Sequence, residues 1–152
     1  MNGSPIVKSI VIAAPLSHVW RSVTEPDIMQ GWMSDEALEV TLKPQVGSPI
    51  VIRGLLHGLP FENRGTILRF EPERVFAYDY WSTLSQSRLA DLPENRTAVR
   101  FDLSPRERAT LLTVTLNNFA EPSIGPHVSL YWGGTLPILK AATERRATDR
   151  EA

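Results

Sequence analysis

Apolar positions along the chain follow two rhythms, and the rhythm changes twice. Residues 6–13 read I-V-K-S-I-V-I-A, five of the eight β-branched and aliphatic, and Ala14-Pro15 stops the run. That composition predicts a strand. Leu16, Val19, Trp20 and Val23 then recur at the i, i+3, i+4, i+7 spacing of one helical face over residues 16–24. Pro15 suits the first turn of that helix. Pro26 ends it, because a residue before proline avoids the helical region. A second short helix is predicted over 27–32, with Ile28, Met29 and Trp32 on one side.

From Leu38 onward the period is two. Strands are predicted at 38–42, 49–56, 61–70, 75–82, 97–103 and 109–117, with turns at 57–60, 71–74 and 104–108 and a long exposed polar loop at 85–96. Short turns make neighbouring strands antiparallel. After a Pro/Gly/Ser loop at 121–126 the helical period returns. Residues 127–146 place Val128, Tyr131, Trp132, Thr135, Leu139 and Ala142 on one face. Gly133, Gly134 and Pro137 are poor helix-interior residues, so a kink is expected near Gly133. The polar tail from 147 to 152 is expected to fray.

The order strand, two short helices, six strands, long helix specifies an α+β domain spanning 1–152. One antiparallel sheet of seven strands must cover its apolar face, and the last helix is the long element available to do so. A twisted sheet curved around one helix leaves space between them, and such a space is a natural ligand site.

Alternation assigns the inner face. Asp79 should point outward, which puts Phe76, Tyr78 and Tyr80 inside; two inward phenols call for hydrogen-bond partners, a wet cavity or a ligand. Leu68 and Phe70, Val99, Phe101 and Leu103, and Leu112, Val114 and Leu116 are assigned to the same interior, although Ile67 competes with Leu68 by having the opposite parity. Trp132 and Leu136 face it from the helix, and Trp32 is placed at one end. Together they predict an apolar enclosure. The candidate ligand-binding set is Trp32, Arg53, Leu68, Phe70, Phe76, Tyr78, Tyr80, Phe101, Leu112, Val114, Trp132 and Leu136.

Composition narrows the function. The 152 residues carry 17 acidic and 16 basic side chains, a net charge of −1, with 42% hydrophobic residues. There is no basic excess to grip a phosphate backbone, so no nucleic-acid partner is expected. There is no cysteine, which removes disulfides, thiolate nucleophiles and thiolate-bound metals. No apolar run approaches the ~18 residues of a spanning helix, and residues 1–9 lack a secretory pattern, so no membrane span is expected and a cytoplasmic location is the expectation.

Candidate chemistry is sparse. His18, His57 and His127 are too far apart in sequence to form a helical pair of metal ligands, and no metal or cofactor is predicted. His18 is placed on the exposed side of the first helix, His57 at a hairpin tip and His127 at a helix start. Arg53 interrupts an apolar strand. It either points inward to meet an anionic ligand or faces solvent. Asp79 and Arg100 are candidates for a cross-strand pair on the outer face. No G-x-S-x-G and no paired carboxylates for acid–base work stand out.

Ala14-Pro15, Val19-Trp20, Thr24-Glu25-Pro26, Trp32, Gly65 with Glu71-Pro72, Phe76, Tyr78, Tyr80, Thr110 and the helical set Trp132, Leu136, Leu139 and Lys140 occur in an order that resembles the helix-grip superfamily of START and birch-pollen-allergen-like domains. Within it the chain resembles the branch named after the activator of the Hsp90 ATPase. The resemblance covers about residues 6–140 and departs from the family at Tyr80, where a tryptophan is usual, and at Gly133-Gly134-Pro137. It implies the fold and a cavity. The 152 residues leave no room for the activator's separate N-terminal chaperone-contacting domain, so chaperone stimulation is not carried over. The expected function is binding or carriage of a small hydrophobic or amphipathic molecule. The alternatives are a cyclase or hydrolase acting on an aromatic or polyketide-like ligand, and a protein-interaction module using outward Trp81, through which a homodimer could also form.

Overall fold

The computed structural model describes residues 4–85 and 89–151. In chain order the elements are β1 (Ile6–Ile12), α1 (Leu16–Thr24), α2 (Pro26–Trp32), β2 (Leu38–Leu42), β3 (Pro49–Leu56), β4 (Leu59–Glu71), β5 (Val75–Ser82), β6 (Thr97–Arg106), β7 (Ala109–Asn117) and α3 (Ile124–Glu151), with single 3-10 turns at Thr83–Ser85 and Pro93–Asn95. The seven strands form one sheet in the order β1-β7-β6-β5-β4-β3-β2, each neighbouring pair antiparallel. The predicted α+β architecture is the observed one.

Several boundaries move for local reasons. α2 begins at Pro26, one residue before the sequence-based limit, because proline's fixed φ is pre-organised for a first turn. β4 begins at Leu59, because the β3–β4 connection is only two residues long: Leu56 pairs with Leu59, and His57 and Gly58 have φ of 52° and 78°. Positive φ at both central residues is a type I′ turn, whose twist matches that of the strands. The Glu36 carboxylate accepts from the backbone N–H of His57 at 2.8 Å and of Gly58 at 3.0 Å, which ties the hairpin tip to the segment after α2. α3 starts at Ile124 and is helical through Gly133, Gly134 and Pro137 as far as Glu151. Of the polar 85–96 loop, residues 86–88 lie outside the described residues, as does Ala152 of the tail.

One half of the space between sheet and α3 is packed solid. Trp20, Phe70, Phe76, Phe101, Trp132 and Trp32 form a chain of ring contacts with successive centroids 5.2, 5.8, 6.1, 5.6 and 6.1 Å apart. Leu112, Val114, Leu136 and Leu139 fill in around them and are buried. The C-terminal half of α3 is pinned by polar contacts to the opposite wall. Lys140 Nζ donates to the Val11 carbonyl at 2.9 Å, Glu144 accepts from the Ala13 N–H at 2.7 Å, and the Thr143 and Ser22 hydroxyls share a buried hydrogen bond of 2.8 Å.

Leu68 is the clearest correction to the alternation. It is 43% exposed, whereas Ile67 is fully buried. The register shifts between Ile67 and Arg69: Ile67 opposes Tyr78 and Phe70 opposes Phe76. The bulge places one extra residue on β4, and Leu68 is turned to solvent. Trp81 is a second correction. It opposes Arg64 on β4, is only 6% exposed and contributes to the lining of the cavity beneath α3. The loop after β5 covers it, with the indole N–H donating to the Leu89 carbonyl at 3.0 Å and the Arg64 guanidinium 4.7 Å from the ring centre. Asp79 and Arg100 do not pair either. Asp79 opposes Ala98 and meets Arg96 at 3.3 Å, while Arg100 pairs with Asp102 at 2.9 Å. His18 is half-buried, and both its ring nitrogens are enclosed with no hydrogen-bond partner among the described residues.

Candidate functional site

The other half of the interlayer space is open. Beneath the N-terminal turns of α3 lies a cavity of about 540 Å³. Its floor comes from the sheet: Leu38, Ile52, Leu55, Leu56, Phe61 and Asn63 from β2–β4, then Tyr78, Tyr80, Thr97 and Val99 from β5 and β6. Its roof is Ile124, His127, Val128, Tyr131 and Trp132 of α3. Met33 and Ser34 close one side, and Leu84, Leu89 and Asn95 of the β5–β6 connection close another. Trp132 divides the two halves. It packs on Phe101 and Trp32, and it also lines the cavity.

The strand register explains why these residues converge. Val40, Ile52, Asn63 and Ser82 oppose one another in turn across β2, β3, β4 and β5, so all four face the same side. Tyr78 opposes Val99 and Tyr80 opposes Thr97 in the next rows. Gly65 permits the tight β4–β5 approach: a Cβ there would stand 1.7 Å from the Asp79 carbonyl oxygen. The type I′ turn and its Glu36 clamp hold Leu55, Leu56 and Phe61 at the cavity's edge.

The lining is mainly apolar and carries no Asp, Glu, Lys or Arg among the described residues. Neutral polar side chains interrupt it, among them Asn63, Tyr78, Tyr80, Ser82, Thr97 and Tyr131. The Tyr131 hydroxyl donates to the Met33 carbonyl at 2.6 Å, joining α3 to the end of α2. Tyr78 has no hydrogen-bond partner among the described residues, and burial pushes its phenol far above the ordinary range, helped by Tyr80 and Tyr131 nearby. Burial likewise pushes Tyr80 up to about 12, offset in part by the Thr97 hydroxyl. Burial also pushes Tyr131 up to about 12, against a smaller effect of Thr135. All three phenols therefore stay protonated at neutral pH and act as donors, not bases. Asn63 is a further inner-face polar group: its side-chain carbonyl oxygen is enclosed and has no partner among the described residues.

Of the sequence-based candidates, Tyr78, Tyr80 and Trp132 line the cavity. Phe70, Phe76, Phe101, Leu112, Val114 and Leu136 belong to the packed half, where the two layers meet directly. Trp32 is locked in place by its indole N–H, which donates to the Ser22 carbonyl at 2.8 Å. Arg53 faces solvent and pairs with Glu62 at 2.7 Å. Sequence reasoning missed Asn63, Phe61, Leu55 and Leu56. For Asn63, Phe61 and Leu56 the signal was present in the inward parity of β3 and β4, with Asn63 the one carboxamide among them; Leu55 has the opposite parity and carried no such signal.

Comparison with known proteins places this geometry. A sequence profile described as Activator of Hsp90 ATPase homolog 1-like protein matches residues 13–144. A protein from Cytophaga hutchinsonii, known from its solution structure, is 26% identical, superposes with a TM-score of 0.77 and aligns over 97% of this chain and 99% of its own. The Aha1 dimer from Colwellia psychrerythraea is 20% identical, with a TM-score of 0.70 over 93% of this chain and 97% of its own. CalU16 from Micromonospora echinospora is 20% identical, with a TM-score of 0.66 over 95% of this chain and 79% of its own. No curated protein matches the sequence significantly. No described helix is long and apolar enough to cross a membrane. With the profile spanning most of the chain and the fold shared end to end, this chain belongs to the Activator of Hsp90 ATPase homolog 1-like family.

Proposed function

We propose that this domain binds a small hydrophobic or amphipathic molecule in the space beneath the first half of α3. The observation that carries the reading is the 540 Å³ cavity, walled by aliphatic and aromatic side chains and left unfilled where the other half of the same interlayer space is packed tight. Its volume lies in the range of small-molecule pockets. Burying about 200 Å² of ligand apolar surface there supplies about 5 kcal/mol before the costs of association. Useful affinity therefore requires at least one polar anchor as well.

The enzymatic alternative, a cyclase or hydrolase, has weaker support. The lining offers no carboxylate or amine among the described residues, and its phenols hold their protons. His127, exposed in the first turn of α3, is the one imidazole among the described lining residues. The interaction-module reading loses its anchor with Trp81 covered.

The test is a fluorescence titration with N-phenyl-1-naphthylamine, a neutral apolar probe. The wild type should show saturable enhancement at one probe per chain. Leu56→Trp, which fills the cavity edge, should abolish the enhancement while keeping a cooperative melt. Enhancement that is unsaturable, or unchanged in Leu56→Trp, counts against the cavity as the binding site.

A further inference from the structure

The cavity's polar content is lopsided. Its lining has no charged side chain among the described residues, yet it includes a carboxamide on the floor. Asn63 sits on the inner face of β4 between Ile52 on β3 and Ser82 on β5. Its Oδ1 is enclosed by protein and accepts no hydrogen bond. A buried acceptor without a partner destabilises the free protein, since it loses water and gains nothing in exchange. Asparagine's last torsion is soft and roughly two-fold, so the amide turns to present its oxygen or its nitrogen to the cavity at little cost. An apolar side chain of the same size would fill the position without that penalty. A carboxamide there is accounted for by a partner that arrives with the ligand.

The second observation concerns charge. A carboxylate or ammonium entering this space would shed its hydration and find no opposite charge among the described lining residues. The unpartnered Tyr78 hydroxyl lies on the same inner face and offers a further neutral hydrogen bond.

We infer that the Asn63 side-chain amide is the polar anchor of this cavity and that its ligand is an uncharged, mainly apolar molecule carrying a hydroxyl or N–H group. This rests on the cavity being the binding site, and it adds the ligand's chemical class. With the amide turned over to bring Oδ1 to the cavity, a ligand hydroxyl donates to it, and the hydroxyl's own oxygen is free to accept from Tyr78. A methyl ether keeps the acceptor and loses the donor. A carboxylate brings a charge that nothing in the lining neutralises.

Three probes of one shape separate these cases: 4-phenylphenol, 4-methoxybiphenyl and biphenyl-4-carboxylate, each titrated calorimetrically into the full chain at neutral pH. The phenol should bind on the order of tenfold or more tighter than the ether, the usual scale for pairing a buried unsatisfied group. The carboxylate should be the weakest. In Asn63→Leu the advantage of phenol over ether should disappear, with the ether's affinity held or improved. If Asn63→Leu loses its cooperative melt, Asn63→Ala carries the same comparison. Equal binding of phenol and ether by the wild type, preference for the carboxylate, or a phenol preference that survives both substitutions overturns the anchor while leaving the cavity reading intact. Failure of all three probes to bind the wild type overturns the cavity reading and the anchor with it.

Discussion

Ile67 and Phe70 point into the same core although three positions separate them on β4. Their partners on β5, Tyr78 and Phe76, are two positions apart. The bulge between Ile67 and Arg69 absorbs the difference by turning Leu68 outward. This reverses the energetic ranking that strict alternation assigns. Leu68→Ser should change stability by less than about 0.5 kcal/mol. Ile67→Ala should cost about 2–5 kcal/mol, as for other buried aliphatic truncations. Urea unfolding of the two variants checks the ranking, and a larger loss for Leu68→Ser would refute the observed register.

Two glycines should respond in opposite directions to the same methyl group. At Gly65 an added Cβ meets the Asp79 carbonyl oxygen at 1.7 Å, a backbone atom that cannot move aside without separating β4 from β5. Gly65→Ala should cost about 3 kcal/mol or more. At Gly134, inside α3, nothing lies within 4 Å of the added Cβ. Gly134→Ala should stabilise by about 0.5–1 kcal/mol, through lower backbone entropy in the unfolded chain and better helix propensity. Thermal melts of both variants read the signs.

The loop over Trp81 is fastened by charge. Asp91 meets Arg64 at 2.9 Å and Arg96 at 3.0 Å, and Arg96 reaches on to Asp79 at 3.3 Å. Burial alone would raise the Asp91 pKa, but the two guanidiniums outweigh it and hold the carboxyl below its ordinary value. A depressed folded-state pKa means the stabilisation is present above the unfolded value of about 3.9 and is lost as pH falls through the folded value. Asp91→Asn should therefore destabilise by about 1 kcal/mol at pH 7. Its stability should converge on that of the wild type below pH ~4. A difference that persists undiminished in acid would exclude ionisation of Asp91 as the cause.

Tyr78 separates stability from binding. The residue is buried, and its hydroxyl has no partner among the described residues, so Tyr78→Phe should leave the stability of the unliganded protein unchanged or raise it by up to about 1 kcal/mol. The same substitution should weaken binding of 4-phenylphenol more than that of its methyl ether. A loss of more than about 1 kcal/mol in unliganded stability would mean that the hydroxyl is already satisfied internally.

Local signals carried most of the fold. The β-branched run of β1, the period-two segments from Leu38 and the spacing of Val128, Tyr131 and Trp132 each reflect side-chain direction within one element, which adjacent residues determine. What escaped depended on partners distant in sequence. The bulge at Leu68 is set by how β4 meets β5. The cover over Trp81 is set by a loop whose closure needs Arg64, Asp91 and Arg96 together. The site was half legible for the same reason. Parity placed Tyr78 and Tyr80 inward, but nothing local separates the inward residues that meet α3 directly, such as Phe76 and Phe101, from those that face open space. That distinction depends on α3 being pinned at Lys140, Thr143 and Glu144 while its first turns stand clear of the sheet. Asn63 was overlooked because a polar residue in a half-exposed strand looks ordinary until its row across the sheet is known.

Native mass spectrometry of gently purified protein, compared with the same sample denatured, tests the central claim most directly. A cavity occupied by a neutral ligand predicts an extra mass at one per chain in the native spectrum, absent after denaturation and recoverable as an uncharged compound with a hydroxyl or N–H group. The bare chain mass in both spectra, together with no saturable binding of N-phenyl-1-naphthylamine, would contradict it.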